Sequence, residues 1–253
     1  DEDLAAFRRA IKRPYGIVLL TGPTGSGKST TLYSALREIN DGQRNIMTVE
    51  DPVEQLISGI SQIQVGGSDK ITFGSALRSL LRHDPDVMMV GEIRDLDTAD
   101  ISLKAALTGH LVFSSLHTNT AIGAVTRLMD FGCEPYLVGA TLAGSIAQRL
   151  VRRLCTKCQS EAVPNDAQKP VMAQYEIDTI YESSGCPSCL GSGYHGRIGL
   201  FECFWTDEST QQMIARQEPE STIREYAKSR HTSLLADGIK KVEILESPIF
   251  FSH

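Results

Sequence analysis

The sequence is short of several things that would each point to a particular class of protein. Aromatic residues make up 6% of its 253 positions, with a single Trp, and Lys plus Arg, at 25, fall below Asp plus Glu, at 31, for a formal charge of −6. A nucleic-acid surface normally carries a basic excess or a row of stacking aromatics, so nucleic acid is disfavoured as a partner, local basic clusters notwithstanding. No apolar run approaches the roughly 20 residues that cross a bilayer. The first residues, Asp-Glu-Asp-Leu-Ala-Ala-Phe-Arg-Arg, are too charged for the apolar centre of a secretion signal. Internal repeats and low-complexity tracts are also missing. With 21 Gly, 10 Pro, 41% hydrophobic and 22% charged residues, the chain is globular in composition and neither disordered nor fibrous. Its length suits one large domain or one and a half. Six cysteines without a secretion signal suggest metal ligands or free thiols before disulfides. No Met precedes Asp1, which leads us to expect a piece of a longer protein.

What is present is a regular alternation. Leu4, Phe7 and Ile11 have helical spacing, stopped by Pro14. The apolar run Ile17 to Leu20 enters a Gly-rich turn, and Thr30 to Ile39 reads as a helix ended by Asn40-Asp41-Gly42. Strand patterns follow at 46–49, 60–65, 87–90 and 111–116, and helical ones at 73–81, 98–107, 121–129 and 136–150. Unbroken apolar runs without polar alternation are expected of parallel strands covered on both faces, so the class is α/β with a doubly wound, mostly parallel sheet. From Leu154 to Gly196 the composition changes to four Cys, three Pro and four Gly with little periodicity, an irregular insert that needs a staple other than a core. A strand at 198–204 and short helices around Gln211, Arg224 and Ile239 complete the chain. The expected division is therefore a core at 1–153, a cysteine-rich subdomain at 154–196, and a strand with small helices at 197–253 packed on the core.

Gly22-Pro23-Thr24-Gly25-Ser26-Gly27-Lys28-Ser29, followed by Thr30, fits the eight-residue phosphate-loop pattern and lies between a strand and a helix, the context that the pattern requires. Its glycines let successive backbone N–H groups turn inward, and the helix N-terminus adds a favourable dipole. Lys28 is then placed to reach the β and γ phosphates and Ser29 to ligate Mg²⁺.

In open α/β sheets ligands sit at the carboxyl ends of strands, so polar residues ending the other apolar runs are candidates to meet the nucleotide. Glu92, after Val-Met-Met-Val-Gly91, occupies the position of a Walker B acid, and Gly91 stands where many such enzymes carry Asp, implying indirect metal contact. Glu50 ends the second strand and is a second candidate to polarise water; which of the two is the base stays open. His117, in Ser-Leu-His-Thr-Asn, is placed to sense the γ-phosphate. Acids after a strand also cap the next helix, a reading that applies to Asp51 and Asp95. Arg78 and Arg82, at i and i+4, share a helical face, and Arg94 follows the Walker B strand. Such cations neutralise phosphate charge in cis or across a subunit boundary, or else pair on the surface with Asp84 or Asp95.

Cys155-Thr-Lys-Cys158 and Cys186-Pro-Ser-Cys189 are two C-x2-C knuckles separated by 27 residues. Converging on one Zn²⁺, they make a closed tetrahedral site of four thiolates, which is structural and not catalytic, and which folds a segment lacking its own core. Cys133 and Cys203 read as core thiols.

Taken in order, Gly-Pro-Thr-Gly-Ser-Gly-Lys-Ser-Thr, Thr-Val-Glu-Asp-Pro-Val-Glu, Leu-Arg-His-Asp-Pro-Asp-Val-Met-Met-Val-Gly-Glu-Ile-Arg-Asp and Ser-Leu-His-Thr-Asn resemble the Walker A, Asp box, Walker B and His box of secretion-superfamily traffic ATPases. The cysteine insert resembles the assembly branch, that of type II secretion ATPases and type IV pilus extension ATPases. Asn119-Thr-Ala-Ile-Gly-Ala-Val-Thr-Arg-Leu is closer to the secretion enzymes. The resemblance implies a RecA-like core that binds ATP, Mg²⁺ and one structural Zn²⁺, with Arg78, Arg82 and Arg94 facing the nucleotide. It further implies a homohexameric motor, cytoplasmic and peripheral on the inner face of the bacterial inner membrane. That motor would act on an inner-membrane platform protein, held by a cytoplasmic-membrane anchoring protein. Family members carry N-terminal domains that add arginines to the site, so weak hydrolysis and poor hexamer formation are expected of this segment alone. The ending Glu246-Ser-Pro-Ile-Phe-Phe-Ser-His departs from the family's helical ending and is expected to be truncated or foreign. Competing readings are a RecA-like nucleic-acid motor with a zinc ribbon, and, from Gly91, an adaptor that binds nucleotide but hardly hydrolyses it.

Overall fold

The computed structural model describes residues 2–66, 71–228 and 231–243; the ending from Glu246 lies outside them. Nine strands and ten helices occur among the described residues. The strands are β1 (Gly16–Thr21), β2 (Ile46–Glu50), β3 (Ser61–Gln64), β4 (Val87–Val90), β5 (Leu111–Leu116), β6 (Leu142–Leu154), β7 (Gln159–Ala162), β8 (Ile180–Ser183) and β9 (Tyr194–Trp205). The helices are α1 (Glu2–Ala10), α2 (Lys28–Ile39), α3 (Phe73–Leu80), α4 (Leu96–Leu107), α5 (Gly123–Asp130), α6 (Pro135–Thr141), α7 (Lys169–Gln174), α8 (Glu208–Ala215), α9 (Glu220–Ala227) and α10 (Leu234–Glu243). No helix of the described residues is long and apolar enough to cross a membrane. Spatially the chain forms two units, one of Asp1–Ala147 with Cys203–His231, the other of Gln148–Glu202 with Thr232–His253. The compositional boundaries at 153/154 and 196/197 fall inside β6 and β9.

In the first unit the strands order as β3-β2-β4-β5-β1-β6-β9. From β3 to β6 every pairing is parallel, with Val49 opposite Val90, Val90 opposite Ser114, and Thr21 opposite Leu116 and Ala147. β1, β2, β4 and β5 are buried along their whole length, as parallel strands covered on both faces are. Helix starts follow local chemistry. Thr72 and Ser75 cap α3 reciprocally, and the Asp95 carboxylate accepts the Thr98 N–H at 2.8 Å to open α4. Leu32, Tyr33, Ala35, Leu36 and Ile39 form the buried stripe of α2. Ile214 of α8, Ile223 and Ala227 of α9, and Phe204 join the same core as Leu77, Met88 and Val112.

The helix expected over 136–150 is corrected. It ends at Thr141, and Leu142 to Leu154 is a strand paired with β1. Leu142 to Ala147 are buried on both faces, so their sequence shows no alternation, and an apolar run of that kind is indistinguishable by period from a buried helix. Sheet pairing overrides the helix propensity of Leu and Ala here. Gly144 marks the cost of the tight packing: a Cβ there would lie 2.4 Å from the Trp205 ring and 2.9 Å from the Phe204 carbonyl oxygen. Gly139 on α6 likewise admits the Gln211 carbonyl of α8, 2.6 Å from where a Cβ would stand.

The second unit is also more ordered than its composition suggests. β7 and β8 pair antiparallel, Gln159 opposite Ser183 and Ala162 opposite Ile180. Met172, Ile177, Ile180 and Val242 make a small core of its own, which corrects the expectation of a coreless insert. At β9, last in the sheet order, the Phe201 N–H donates to the Asp237 carboxylate at 2.8 Å. One helical turn further along α10, Lys241 Nζ donates to the Gly199 carbonyl at 2.7 Å.

Gly144→Ala should destabilise the fold by about 1–3 kcal/mol, the usual cost of overpacking a filled core. Urea denaturation measures it, and an unchanged midpoint would contradict the tight packing of β6.

Candidate functional site

The phosphate-loop sequence closes on the helix it precedes. Gly22, Gly25 and Gly27 have φ of 142°, 78° and 89°, a region that favours glycine, and Gly27 immediately precedes α2. Pro23, Thr24 and Gly25 are exposed, whereas Ser26 is buried and its Oγ has no hydrogen-bond partner. Lys28 Nζ folds back on the loop, donating to the carbonyls of Gly22 at 2.8 Å and Pro23 at 3.1 Å. Ser29 and Thr30 are exposed in the first turn of α2. An orphaned buried hydroxyl, an ammonium resting on carbonyls and a helix N-terminus together form a cradle whose donors suit a phosphate chain.

Parallel register brings Glu92, Glu50 and His117 to the same edge of the sheet. Hydroxyls inside β5 pin the turn after β4: Ser114 Oγ donates to the Val90 carbonyl at 2.8 Å and Ser115 Oγ to that of Gly91 at 2.7 Å. From that turn Glu92 meets two partners. Arg94 pairs with one carboxylate oxygen, and His117 Nε2 lies 3.3 Å from the other. Arg94 also reaches Asp51 at 3.8 Å. Burial raises the Glu92 carboxyl, but the hydrogen bond from Arg94 and the charges of Arg94 and His117 outweigh it and hold the group below the usual carboxylate range. The same pairing raises Arg94.

Glu50 sits in a different environment. Only 4% exposed, it accepts hydrogen bonds from Tyr33 Oη on one oxygen and from Thr48 Oγ1 and Gln62 Nε2 on the other, at 2.5 and 3.0 Å for the last two. Burial first, and then the hydrogen bond to Glu50, push the Tyr33 phenol up to about 12. Asp95 caps α4, as one reading of strand-end acids holds, whereas Asp51 pairs with Arg94.

Arg78 and Arg82 are engaged elsewhere. Arg78 pairs with Asp97 of α4, and Gly74 leaves the space that this carboxylate occupies, since a Cβ there would lie 2.0 Å from its oxygen. Arg82 lies past the end of α3 and donates to the Arg78 carbonyl at 2.8 Å, covering a helix C-terminus. Among the described residues neither makes a hydrogen bond or ion pair to Glu92, Arg94 or His117.

In the second unit the four Sγ atoms of Cys155, Cys158, Cys186 and Cys189 all lie within 4.8 Å of one another. Cys155 to Cys186 and Cys158 to Cys189 are each 3.9 Å, and Cys186 to Cys189 is 3.7 Å. Four thiolates on a tetrahedral zinc at about 2.3 Å stand about 3.8 Å apart, so the donor set fits that ion with no position left open. Burial raises the Cys189 thiol, but the N–H groups of Cys186 at 3.1 Å and Gly193 at 3.3 Å prevail and lower it toward the thiolate. Cys133 and Cys203 are both buried.

The model of the family described as Type II/IV secretion system protein matches residues 1–247. The chain belongs to that family. Relatives include the Type II secretion system ATPase E of Vibrio cholerae serotype O1, 50% identical over 238 residues, 93% of this chain and 47% of that one. The Type IV pilus assembly ATPase PilB of Myxococcus xanthus is 47% identical over 249 residues, 95% of this chain and 44% of that one. The chain thus spans about half the length of these relatives. Among solved structures, the pilus retraction motor PilT with bound ADP superposes with a TM-score of 0.66 at 29% identity, over 93% of this chain and 63% of that one. The fold is accordingly α/β, as the strand alternation indicates, and RecA-like, as the family resemblance implies.

Sequence reasoning missed the residues around Glu50. Tyr33 lies within the buried stripe of a helix, and a buried phenol needs a polar partner, which is the signal that was available. Gln62 and Thr48 gave none.

Replacing Arg94 with Ala removes the main cause that lowers Glu92 while leaving its burial. The Glu92 carboxyl should then titrate at higher pH by carbon-detected NMR; an unchanged titration contradicts the pairing. In the parent protein the depressed value favours folding above the unfolded carboxylate range, about pH 4, and that contribution is lost as pH falls through the folded value.

Proposed function

We propose that this chain is the ATP-hydrolysing segment of a type II secretion motor. The observation that carries this reading is the meeting, at one sheet edge, of a complete phosphate loop with a carboxylate held ionised by Arg94 and His117. The Vibrio cholerae relative supports the secretion assignment. The Myxococcus xanthus relative, nearly as similar, supports type IV pilus assembly as the second reading.

When bound, MgATP supplies the γ-phosphoryl group and the metal charge that offsets it. Lys28 exchanges the Gly22 and Pro23 carbonyls for phosphate oxygens, and Ser26 and Ser29 contribute their hydroxyls. Glu92, ionised at neutral pH, accepts a hydrogen bond from the attacking water and orients it. His117 and Arg94 hold that carboxylate in place, and the Arg94 guanidinium carries positive charge toward the edge where negative charge is handled. Glu50 is the second carboxylate on this edge, and Arg78 would serve only after leaving Asp97. The motor works as a homohexamer, peripheral on the inner face of the inner membrane, with a platform protein and an anchoring protein as partners. The cysteine cluster holds one structural Zn²⁺ that stiffens the second unit.

Two measurements test this. Lys28→Ala should abolish binding of a fluorescent ATP analogue, whereas Glu92→Gln should bind it normally and lose about 100-fold or more in turnover. Turnover that survives both substitutions sinks the enzyme reading. Elemental analysis should find one zinc per chain, with chelation loosening amide protection at 155–193; a folded, metal-free protein removes the zinc assignment.

A further inference from the structure

Tyr33 is on the phosphate-loop helix, five residues after Lys28, and its side chain leaves that helix to bind the end of β2. Its hydroxyl does three things at once. It donates to the Glu50 carboxylate and accepts the backbone N–H groups of Glu54 at 3.1 Å and Gln55 at 3.4 Å. The loop it holds is fastened at further points: Val53 N–H to Gln64 Oε1 at 3.1 Å, Ile57 N–H to Gln62 Oε1 at 2.7 Å, and Asn40 Nδ2 to the Ser58 carbonyl at 2.9 Å. Gln62 returns to both Glu50 and the Gln55 carbonyl at 3.0 Å.

Among the described residues Glu50 has no cationic partner; its three donors are neutral and directional. A carboxylate beside an Arg keeps its place over a range of geometries, because charge attraction is broad. One held by neutral hydroxyl and amide groups depends on where those groups stand. Thr48 and Gln62 come from the sheet itself, whereas Tyr33 comes from the helix whose N-terminus carries Lys28 and Ser29.

We propose that Tyr33 is a positioning residue, coupling the helix that meets the phosphates to the orientation of Glu50 and to the loop of residues 51–57. The proposal rests on the ATP-hydrolysing reading of the site and deepens it. Any shift of α2 on nucleotide binding is transmitted to Glu50 through one rigid aromatic side chain. The high Tyr33 value keeps the phenol protonated, and therefore a donor, throughout the physiological range.

A purely structural tyrosine would affect stability alone, so the test separates binding from chemistry. Tyr33→Phe keeps the ring that fills the core and removes only the hydroxyl. Equilibrium binding of a fluorescent ATP analogue should stay within about twofold of the parent, single-turnover hydrolysis should slow about tenfold, the usual worth of one hydrogen bond to a charged group, and amide exchange at Glu54 and Gln55 should quicken. Thr48→Val, which takes a donor from Glu50 but leaves the loop on Tyr33, should slow hydrolysis without quickening that exchange. Hydrolysis by Tyr33→Phe within twofold of the parent, or binding weakened as much as hydrolysis, overturns the role of Tyr33 while the ATPase reading stands. All of these rates are read in the full-length hexamer, and absence of hydrolysis by that parent assembly removes the ATPase reading, and the role of Tyr33 with it.

Discussion

A parallel strand can be joined to its neighbour only by a chain that crosses back over the sheet, so each successive strand points the same way and ends on the same side. Six neighbouring strands here obey that constraint, and the remaining features of the first unit depend on it. The phosphate loop after β1, Glu50 at the end of β2, Glu92 after β4 and His117 after β5 are far apart in the chain yet share one edge. Nothing in their local sequence brings them together; the ladder of parallel hydrogen bonds does. The same arrangement explains why β1, β2, β4 and β5 are buried along their whole length. Helices cover both faces, leaving polar side chains useful only at the ends.

Two carboxylates on this edge are made unlike by their surroundings. Glu92 is partly open and held by an Arg and a His, which stabilise its charge. Glu50 is enclosed and held by a phenol, a hydroxyl and an amide. Environments that differ in this way allow two residues of the same chemistry to do different work within one site. The Ser114 and Ser115 hydrogen bonds that pin the turn after β4 serve Glu92, because a carboxylate is only as well placed as the backbone that carries it.

How far the sequence could be read varied with how local the determining physics is. The phosphate loop and each cysteine knuckle are contiguous motifs that stand out in adjacent residues, and the structure sets the loop ahead of α2 and gathers the four thiols within 4.8 Å. That Glu92 and His117 lie together follows once strand ends are counted. The strand after Thr141 was not legible, because Leu-Ala-Gly-Ser-Ile-Ala buried on both faces has no period, and its state is decided by β1, which lies more than a hundred residues earlier. Tyr33 escaped notice because its partner comes from a different element. Arg82 lies two residues past the end of its helix, and its side chain turns back on that end. In the second unit, Met172, Ile180 and Val242 meet across 70 residues of chain, which composition alone does not disclose.

The pair formed by Asp237 and Lys241 has a consequence for how the molecule coexists with its neighbours in a crowded solution. A strand at the end of a sheet presents free N–H and C=O groups that can recruit any extended chain. At β9 the Phe201 N–H and the Gly199 carbonyl, two residues apart, are taken by a carboxylate and an ammonium from successive turns of α10. The helix thus imitates an additional strand with two side chains, giving one acceptor and one donor at the required spacing. Because it presents no backbone of its own to pair further, the row of hydrogen bonds stops there, and that stretch of the border cannot template the stacking of chain upon chain.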